Sequence, residues 1–116
     1  MKPGIMFEAG AVVLIPFPYS DLSNVKKRPV LMLTRPDGRG DFVAIPLTSQ
    51  AQPSPALKLD AGPLPLGGTL PLTSWVKTDT VYSLNEAEVI KPLGRVTEDV
   101  RTYCVQQLCR YLDQGQ

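Results

Sequence analysis

Three apolar runs in the first half of the chain predict three consecutive strands. Residues 11–17, 28–34 and 41–47 are rich in valine, leucine and isoleucine, and few polar residues interrupt them. Continuous apolar runs of this length are typical of strands that are buried on both faces. A turn-forming segment at residues 36–40 predicts that the second and third strands pair as a hairpin.

Prolines and small polar residues mark where the first of these strands is expected to stop. Pro16 and Pro18 each remove a backbone donor from the ladder, so the strand is predicted to end there. Residues 19–27 are predicted to form a loop, because serine, aspartate and asparagine turn formers follow one another closely. Pro29 is compatible with the start or the edge of the second strand.

The second half of the chain has a weaker pattern. Residues 51–73 hold five of the twelve prolines, and we expect a long structured loop with one short edge strand at residues 56–59. Residues 74–81 and 88–93 each have the composition of a further strand.

One helix is predicted near the C-terminus. Thr97 can cap it, and Glu98 and Asp99 lie in the first turn, where the helix dipole favours acidic side chains. The apolar positions that follow have helical spacing and form one stripe. They are Val100, Tyr103, Cys104, Leu108, Tyr111 and Leu112. Many short strands and one terminal helix predict a mainly β fold, as a small bent sheet or a partly open barrel.

Size and composition indicate one globular domain over residues 1–116. No apolar run reaches the roughly 18 residues that a membrane helix needs, and the first residues lack the apolar region of a signal peptide. We therefore expect a cytoplasmic protein with no membrane contact. Cys104 and Cys109 would lie about 7.5 Å apart along the helix and point in different directions. We expect both thiols to be reduced.

The absence of histidine limits the possible chemistry. Ser–His–Asp and Cys–His mechanisms are excluded, and no phosphate-binding GxxxxGK[ST] loop is present. The eleven acidic residues are scattered, so no metal site is expected. Arg28 and Thr48 remain, one where a strand begins and one where a strand ends. An arginine and a hydroxyl can both donate to a phosphate, but the same residues can also be a surface charge and a turn former.

Lys26, Lys27 and Arg28 form a basic cluster, with Arg35 and Arg39 a short distance further on. On charge alone this is either a solvated basic loop or a local phosphate-binding patch. The net charge of +1 does not by itself indicate a nucleic-acid-binding protein.

Several segments together resemble the MazF/PemK family of type II toxins. The resemblance covers residues 10–112, and an arginine–proline strand start combined with a Pro-x-Thr-x-Gln strand end is its most specific part. One departure is Ala11, where many relatives have an acid. The matching segments are residues 10–21 (GAVVLIPFPYSD), 27–33 (KRPVLML), 45–50 (IPLTSQ), 74–79 (SWVKTD) and 93–97 (LGRVT).

The resemblance implies a small SH3-like barrel of short, mostly antiparallel strands with one C-terminal helix, assembled as a homodimer. It also implies a metal-independent, sequence-specific endoribonuclease that needs no cofactor. Such an enzyme cleaves single-stranded RNA to leave a 2′,3′-cyclic phosphate and a 5′-hydroxyl, and a small cognate antitoxin covers its RNA groove. The catalytic residues of the family match Arg28 and Thr48. We expect further RNA contacts from Lys26, Lys27, Ser20, Asp21, Ser49 and Gln50.

Two other functions remain open at this point. A related fold serves as a toxin that binds and inhibits DNA gyrase without cleaving RNA, although Arg28 and Thr48 would then have no catalytic purpose. An SH3-like module could instead bind proline-rich segments through Trp75 and Tyr19. These two aromatic residues are far apart in sequence and give that alternative little support.

Overall fold

The computed structural model describes residues 7–18 and 25–114, and most of their regular structure is β-strand. One helix, α1 (Glu98–Asp113), follows the strands, and a 3₁₀ turn (Glu86–Glu88) precedes the last of them. The predicted mainly β fold with one C-terminal helix is confirmed. The strands are β1 (Ala11–Pro18), β2 (Val25–Met32), β3 (Asp41–Thr48), β4 (Leu57–Leu59), β5 (Gly62–Pro63), β6 (Thr69–Leu70), β7 (Ser74–Val76), β8 (Tyr82–Asn85) and β9 (Lys91–Arg95).

Strand β3 organises the main sheet because it pairs with three other strands. β2 lies along one of its edges, while β8 pairs with the first half of the other edge and β7 with its last two residues. Apart from β8, the order of strands across the sheet is β4, β7, β3, β2, β1, β9, and neighbouring strands are antiparallel. Because β8 and β7 share one edge of β3, the sheet bends there and curls into a half-barrel. The predicted hairpin of the second and third strands is confirmed.

β1 ends at Pro18, within one residue of the predicted end, but it passes through Pro16, so the prediction that Pro16 helps to end the strand is wrong. The carbonyl of Leu14 accepts a hydrogen bond from the Ile90 N–H at 2.7 Å, on the side of β1 where β9 lies. The two-residue period of a strand directs the nitrogens of both prolines to that same side. Pairing with β9 stops at Leu14. The N–H groups that the two prolines lack would therefore point to a part of the β1 edge where β9 does not pair, so no hydrogen bond with β9 is lost.

The second strand, β2, starts earlier in the chain than predicted. Lys26 and Lys27 pair with Phe17 and Pro16, and β2 therefore begins at Val25 instead of Arg28. The end of the predicted loop at residues 19–27 is wrong, since its last residues belong to the sheet. Residues 19–24 lie outside the described part of the chain.

The predicted strand at residues 74–81 is shorter than expected, because only its first three residues are in a strand. β7 ends at Val76, and a turn follows in which the Thr80 N–H donates to the Lys77 carbonyl at 3.2 Å. β8 then begins at Tyr82 and pairs with the other end of β3. The predicted strand at residues 88–93 begins later than expected, as β9. A 3₁₀ turn that Asn85 caps occupies Glu86–Glu88, so the strand starts only at Lys91.

The apolar residues form two cores, one on each face of the central strands, as expected for strands buried on both sides. The first core packs beneath α1 and the second lies on the opposite face. The buried members of the first core are Val12, Leu31, Leu33, Ile45, Leu47, Leu64, Leu70, Val76, Val96, Cys104 and Leu108. Those of the second core are Ala11, Val13, Ile15, Val30, Met32, Phe42 and Ala44.

Helix α1 begins as predicted. The Thr97 hydroxyl accepts a hydrogen bond from the Val100 N–H at 3.3 Å. A hydrogen bond from Arg101 holds the pKa of Glu98 below its usual value, and Arg101 also donates to the Leu33 carbonyl at 2.9 Å. This last bond ties the first turn of the helix to the β2–β3 connection.

The far end of the helical stripe differs from the prediction. Tyr111 and Leu112 are 44% and 59% exposed, so the stripe packs into the core only as far as Leu108. Cys104 and Cys109 are both free thiols, as predicted, and burial raises the pKa of Cys104 to about 11. No helix among the described residues is long and apolar enough to cross a membrane.

Candidate functional site

The β2–β3 ladder directs Arg28 and Thr48 to the same place. Its last pair is Val30 with Pro46, and the same register continued by two residues sets Arg28 opposite Thr48. Residues that face each other on antiparallel strands have side chains on the same face of the sheet. This is the face of the second core, which ends where the two polar side chains begin.

Arg28 is held from the β1 side as well. It pairs with Ile15, whose side chain is 1% exposed, and the Nε atom of Arg28 is itself buried. The residue as a whole is half-buried. A guanidinium with its base fixed against an apolar wall has little rotamer freedom left, which favours a defined bidentate contact with a phosphate.

Thr48 ends β3, and its hydroxyl has a local role. The Oγ1 atom accepts a hydrogen bond from the Gln50 N–H at 3.2 Å, which shapes the turn after the strand. A hydroxyl has one donor and two acceptor positions. Because the bond to Gln50 uses an acceptor position, the O–H of Thr48 can still donate. The structural and the catalytic interpretations of this residue are therefore compatible.

A groove of about 580 Å³ runs over Arg28 and Thr48, and we call it the reaction groove. Phe17 and Tyr82 form one of its walls, with their rings in an edge-to-face contact at 5.2 Å. The carboxylate of Glu88 also lines it, but this group accepts a hydrogen bond from the Asn85 N–H at 2.8 Å and thereby caps the 3₁₀ turn. The remaining lining residues are Pro16, Pro46, Leu47, Gln50, Gln52, Lys77, Thr80 and Leu84.

A second groove, of about 350 Å³, lies on the other side of Arg28, and we call it the basic groove. Four cationic side chains line it, and no carboxylate does. Arg28 and Leu47 belong to both grooves, so the two depressions adjoin at these two residues. The cationic residues of the basic groove are Lys26, Lys27, Arg28 and Lys91.

The predicted site residues divide between the two grooves. Lys26, Lys27 and Ser49 line the basic groove, whereas Gln50 joins Thr48 in the reaction groove. Ser20 and Asp21 lie outside the described residues.

The wider basic cluster of the sequence is not one surface. Arg35 and Arg39 lie in the connection between β2 and β3 and line neither groove. Among the described residues, no three His, Cys, Asp or Glu side chains are grouped so that they could hold a metal ion.

Sequence reasoning missed two cations of the site. Lys91 reaches the basic groove because β9 pairs with β1, where Lys91 lies opposite Leu14. Lys77 reaches the reaction groove from the turn after β7. Both are isolated lysines in the sequence, and only the register of strands that are distant in the chain brings them to Arg28. No local signal could have identified either one.

Comparisons with known proteins agree with this architecture. Residues 8–112 match the model of the family described as PemK-like, MazF-like toxin of type II toxin-antitoxin system. No curated protein matches the chain significantly.

Several solved structures have a similar fold. A crystal structure of MazF from Deinococcus radiodurans is 24% identical with a TM-score of 0.70, and the alignment covers 94% of this chain and 98% of that one. A mycobacterial endoribonuclease in complex with its cognate antitoxin is also 24% identical, with a TM-score of 0.67 and coverage of 92% and 95%. A MazE–MazF structure from Deinococcus radiodurans is 23% identical, with a TM-score of 0.64 and coverage of 93% and 96%.

Proposed function

Because the chain belongs to the PemK-like, MazF-like toxins of type II toxin-antitoxin systems, we propose that it is an endoribonuclease that cleaves single-stranded RNA without a metal ion. The observation that carries this proposal is that Arg28 and Thr48, which lie beyond the last pair of the β2–β3 ladder, line the same groove. Similar folds include a protein named as an endoribonuclease, which supports the same reaction.

The proposed reaction uses a nucleophile that the substrate supplies. The 2′-hydroxyl of the ribose loses its proton, and its oxygen forms a bond to the adjacent phosphorus while the bond from phosphorus to the 5′-oxygen breaks. The departing 5′-oxygen takes up a proton, so the net reaction moves one proton from the 2′-oxygen to the 5′-oxygen. The products are a 2′,3′-cyclic phosphate and a 5′-hydroxyl. A chain without histidine suits this route, since no water has to be activated and no covalent enzyme intermediate is needed.

Arg28 and Thr48 act on the phosphate in this proposal. Negative charge increases on the non-bridging oxygens as the phosphorus becomes five-coordinate, and fixed donors aimed at that charge lower the barrier. The half-buried Arg28 guanidinium donates two parallel hydrogen bonds, and the Thr48 O–H donates a third. Arg28 lies where the two grooves meet, so RNA bound along both of them would pass over it.

Two kinds of protein partner also belong to the proposal. Solved structures of similar fold contain a cognate antitoxin, and we expect a small antitoxin to neutralise this chain by covering the grooves. We further propose a cytoplasmic homodimer of single-domain chains.

The test is to incubate the purified protein with a long RNA in excess EDTA and map the new 5′ ends. We expect cleavage at a short recurring sequence, and 5′ ends that accept phosphate from a kinase without prior dephosphorylation. The Arg28→Ala variant, purified in the same way, is the control for a contaminating nuclease. Activity that disappears in EDTA and returns with Mg²⁺ would contradict the metal-independent mechanism. A protein that cleaves no RNA but blocks DNA gyrase would support the alternative function.

A further inference from the structure

The one tryptophan of the chain lies next to the proposed reaction site. Trp75 is in β7, and its neighbours Ser74 and Val76 are 3% and 0% exposed because they face the first core. The alternation of a strand therefore directs the Trp75 side chain to the opposite face, where it is half-buried and belongs to neither core.

Cross-strand pairing places Trp75 beside Thr48. The ladders pair Thr48 with Trp75 and Trp75 with Lys58, so these three side chains share one face of the sheet. Directly opposite residues have Cβ atoms about 4.5–5.5 Å apart. With Arg28 opposite Thr48, one row of side chains crosses four strands. We call this the outer row, and its members are Arg28, Thr48, Trp75 and Lys58.

The far end of the outer row is available for binding. The Nζ atom of Lys58 lies 5.8 Å from the centre of the Trp75 ring, and it pairs with Asp60 at 3.8 Å. The side chains of Lys58 and Asp60 are 57% and 85% exposed, so this ion pair is weak and its partners can separate. A phosphate could therefore replace Asp60 as the partner of Lys58, while the ring keeps its position on the sheet.

An aromatic ring next to a row of phosphate donors is typical of single-stranded RNA recognition, in which bases stack on aromatic side chains. We infer that the Trp75 ring is a stacking platform for one base of the bound RNA, adjacent to the nucleotide whose phosphate lies at Arg28 and Thr48. Lys58 contacts the backbone phosphate of the stacked nucleotide. The inference rests on the proposed function, because it assumes that RNA lies across the outer row.

Trp75 makes the test direct, because it is the only source of tryptophan emission in the protein. The ligand is a pool of short 2′-fluoro RNA of random sequence, which has no 2′-hydroxyl and is not cleaved by the proposed route. Anisotropy of a dye-labelled sample measures binding, and tryptophan emission with an unlabelled sample measures stacking. We expect emission to be quenched over the same concentration range in which anisotropy rises.

The variants distinguish stacking from a structural role. Trp75→Ala should bind about fivefold to a hundredfold more weakly, in line with the loss of one stacked base, while Trp75→Phe should retain most of the affinity. Tyr111→Ala is a matched control, since that exposed aromatic lies on α1 and is not part of the outer row. Its affinity should equal that of the wild type. Lys58→Gln should weaken binding and make it less dependent on salt.

The outcomes separate two hypotheses, the stacking platform at Trp75 and the proposed cleavage of RNA. Binding by anisotropy with unchanged emission, and with equal affinity in Trp75→Ala, would overturn the stacking platform and leave RNA cleavage standing. Quenching by the pool in a protein that cleaves no ribose RNA would keep the platform and overturn the proposed function. No binding of the pool by a protein that still cleaves ribose RNA would overturn the platform alone, and no binding together with no cleavage would overturn both. The emission measurement uses the wild-type protein and does not depend on the folding of any variant.

Discussion

The reaction groove and the basic groove share Arg28 and Leu47 but differ in what else they contain. The reaction groove has Thr48, two glutamines, one lysine and a carboxylate already used in a cap. The basic groove has four cations and no carboxylate. This contrast indicates a division of work in the proposed enzyme. One groove holds the groups that act on the reacting phosphate, while the other attracts the RNA backbone through charge.

The largest loss of activity is expected from substitutions at Arg28, which belongs to both grooves. We expect Arg28→Ala to reduce the turnover rate on RNA by about a hundredfold or more, since it removes a donor that stabilises the transition state. Arg28→Lys should also be poorly active, because an ammonium cannot reproduce the paired donors of a guanidinium. Single-turnover cleavage of one RNA, with circular dichroism to check folding, measures the effect. Wild-type rates in both variants would show that Arg28 is only a surface charge.

The next largest effect is expected inside the reaction groove. Thr48→Val removes the hydroxyl with almost no change of shape, and we expect the cleavage rate to fall tenfold or more. The bond to the Gln50 N–H is also lost, but Gln50 is exposed and water can replace the hydroxyl there. The thermal midpoint should therefore change little.

Thr48→Ser is the matched control for this variant, because it restores the hydroxyl and should recover most of the rate. The two measurements separate the roles of the side chain. A lowered midpoint with an unchanged rate in Thr48→Val would make Thr48 a turn residue and remove it from the reaction groove.

The smallest effect is expected in the basic groove. Lys91→Gln should weaken RNA binding a few-fold and leave the turnover rate of the bound RNA unchanged. The slope of log affinity against log salt should become shallower by about 0.7, the value for one phosphate contact to a single strand. Arg39→Gln is a control of similar charge change outside both grooves, and its slope should match the wild type. If Lys91→Gln lowers the rate of saturated enzyme instead, the division between the grooves is wrong.

The sequence allowed the central part of this arrangement to be predicted, because the relevant signals are local. The β2–β3 hairpin follows from two apolar runs with a short turn between them, and helix α1 follows from the Thr97 cap and a helical stripe. Arg28 and Thr48 could be proposed because the resemblance to the toxin family matches its catalytic residues to these two positions of the hairpin.

The parts that could not be predicted depend on pairing between distant strands. Lys91 enters the basic groove only through the β1–β9 ladder, and Trp75 lies beside Thr48 only through the β3–β7 ladder. The continuation of β1 through Pro16 also depends on which strands pair with β1 there. A proline is tolerated wherever its missing donor faces no partner, and the sequence does not show which edge lacks one.

The central claim is that the ribose 2′-hydroxyl is the nucleophile and that Arg28 and Thr48 act on the phosphate it attacks. The most direct test replaces the nucleotide on the 5′ side of a mapped cleavage site with its 2′-deoxy form in an otherwise unchanged RNA. We predict that this RNA binds with similar affinity but is not cleaved at that position, while the all-ribose RNA is cut to a 2′,3′-cyclic phosphate in EDTA. Cleavage of the deoxy-substituted RNA at the same bond would contradict this mechanism, because another nucleophile would then have to attack.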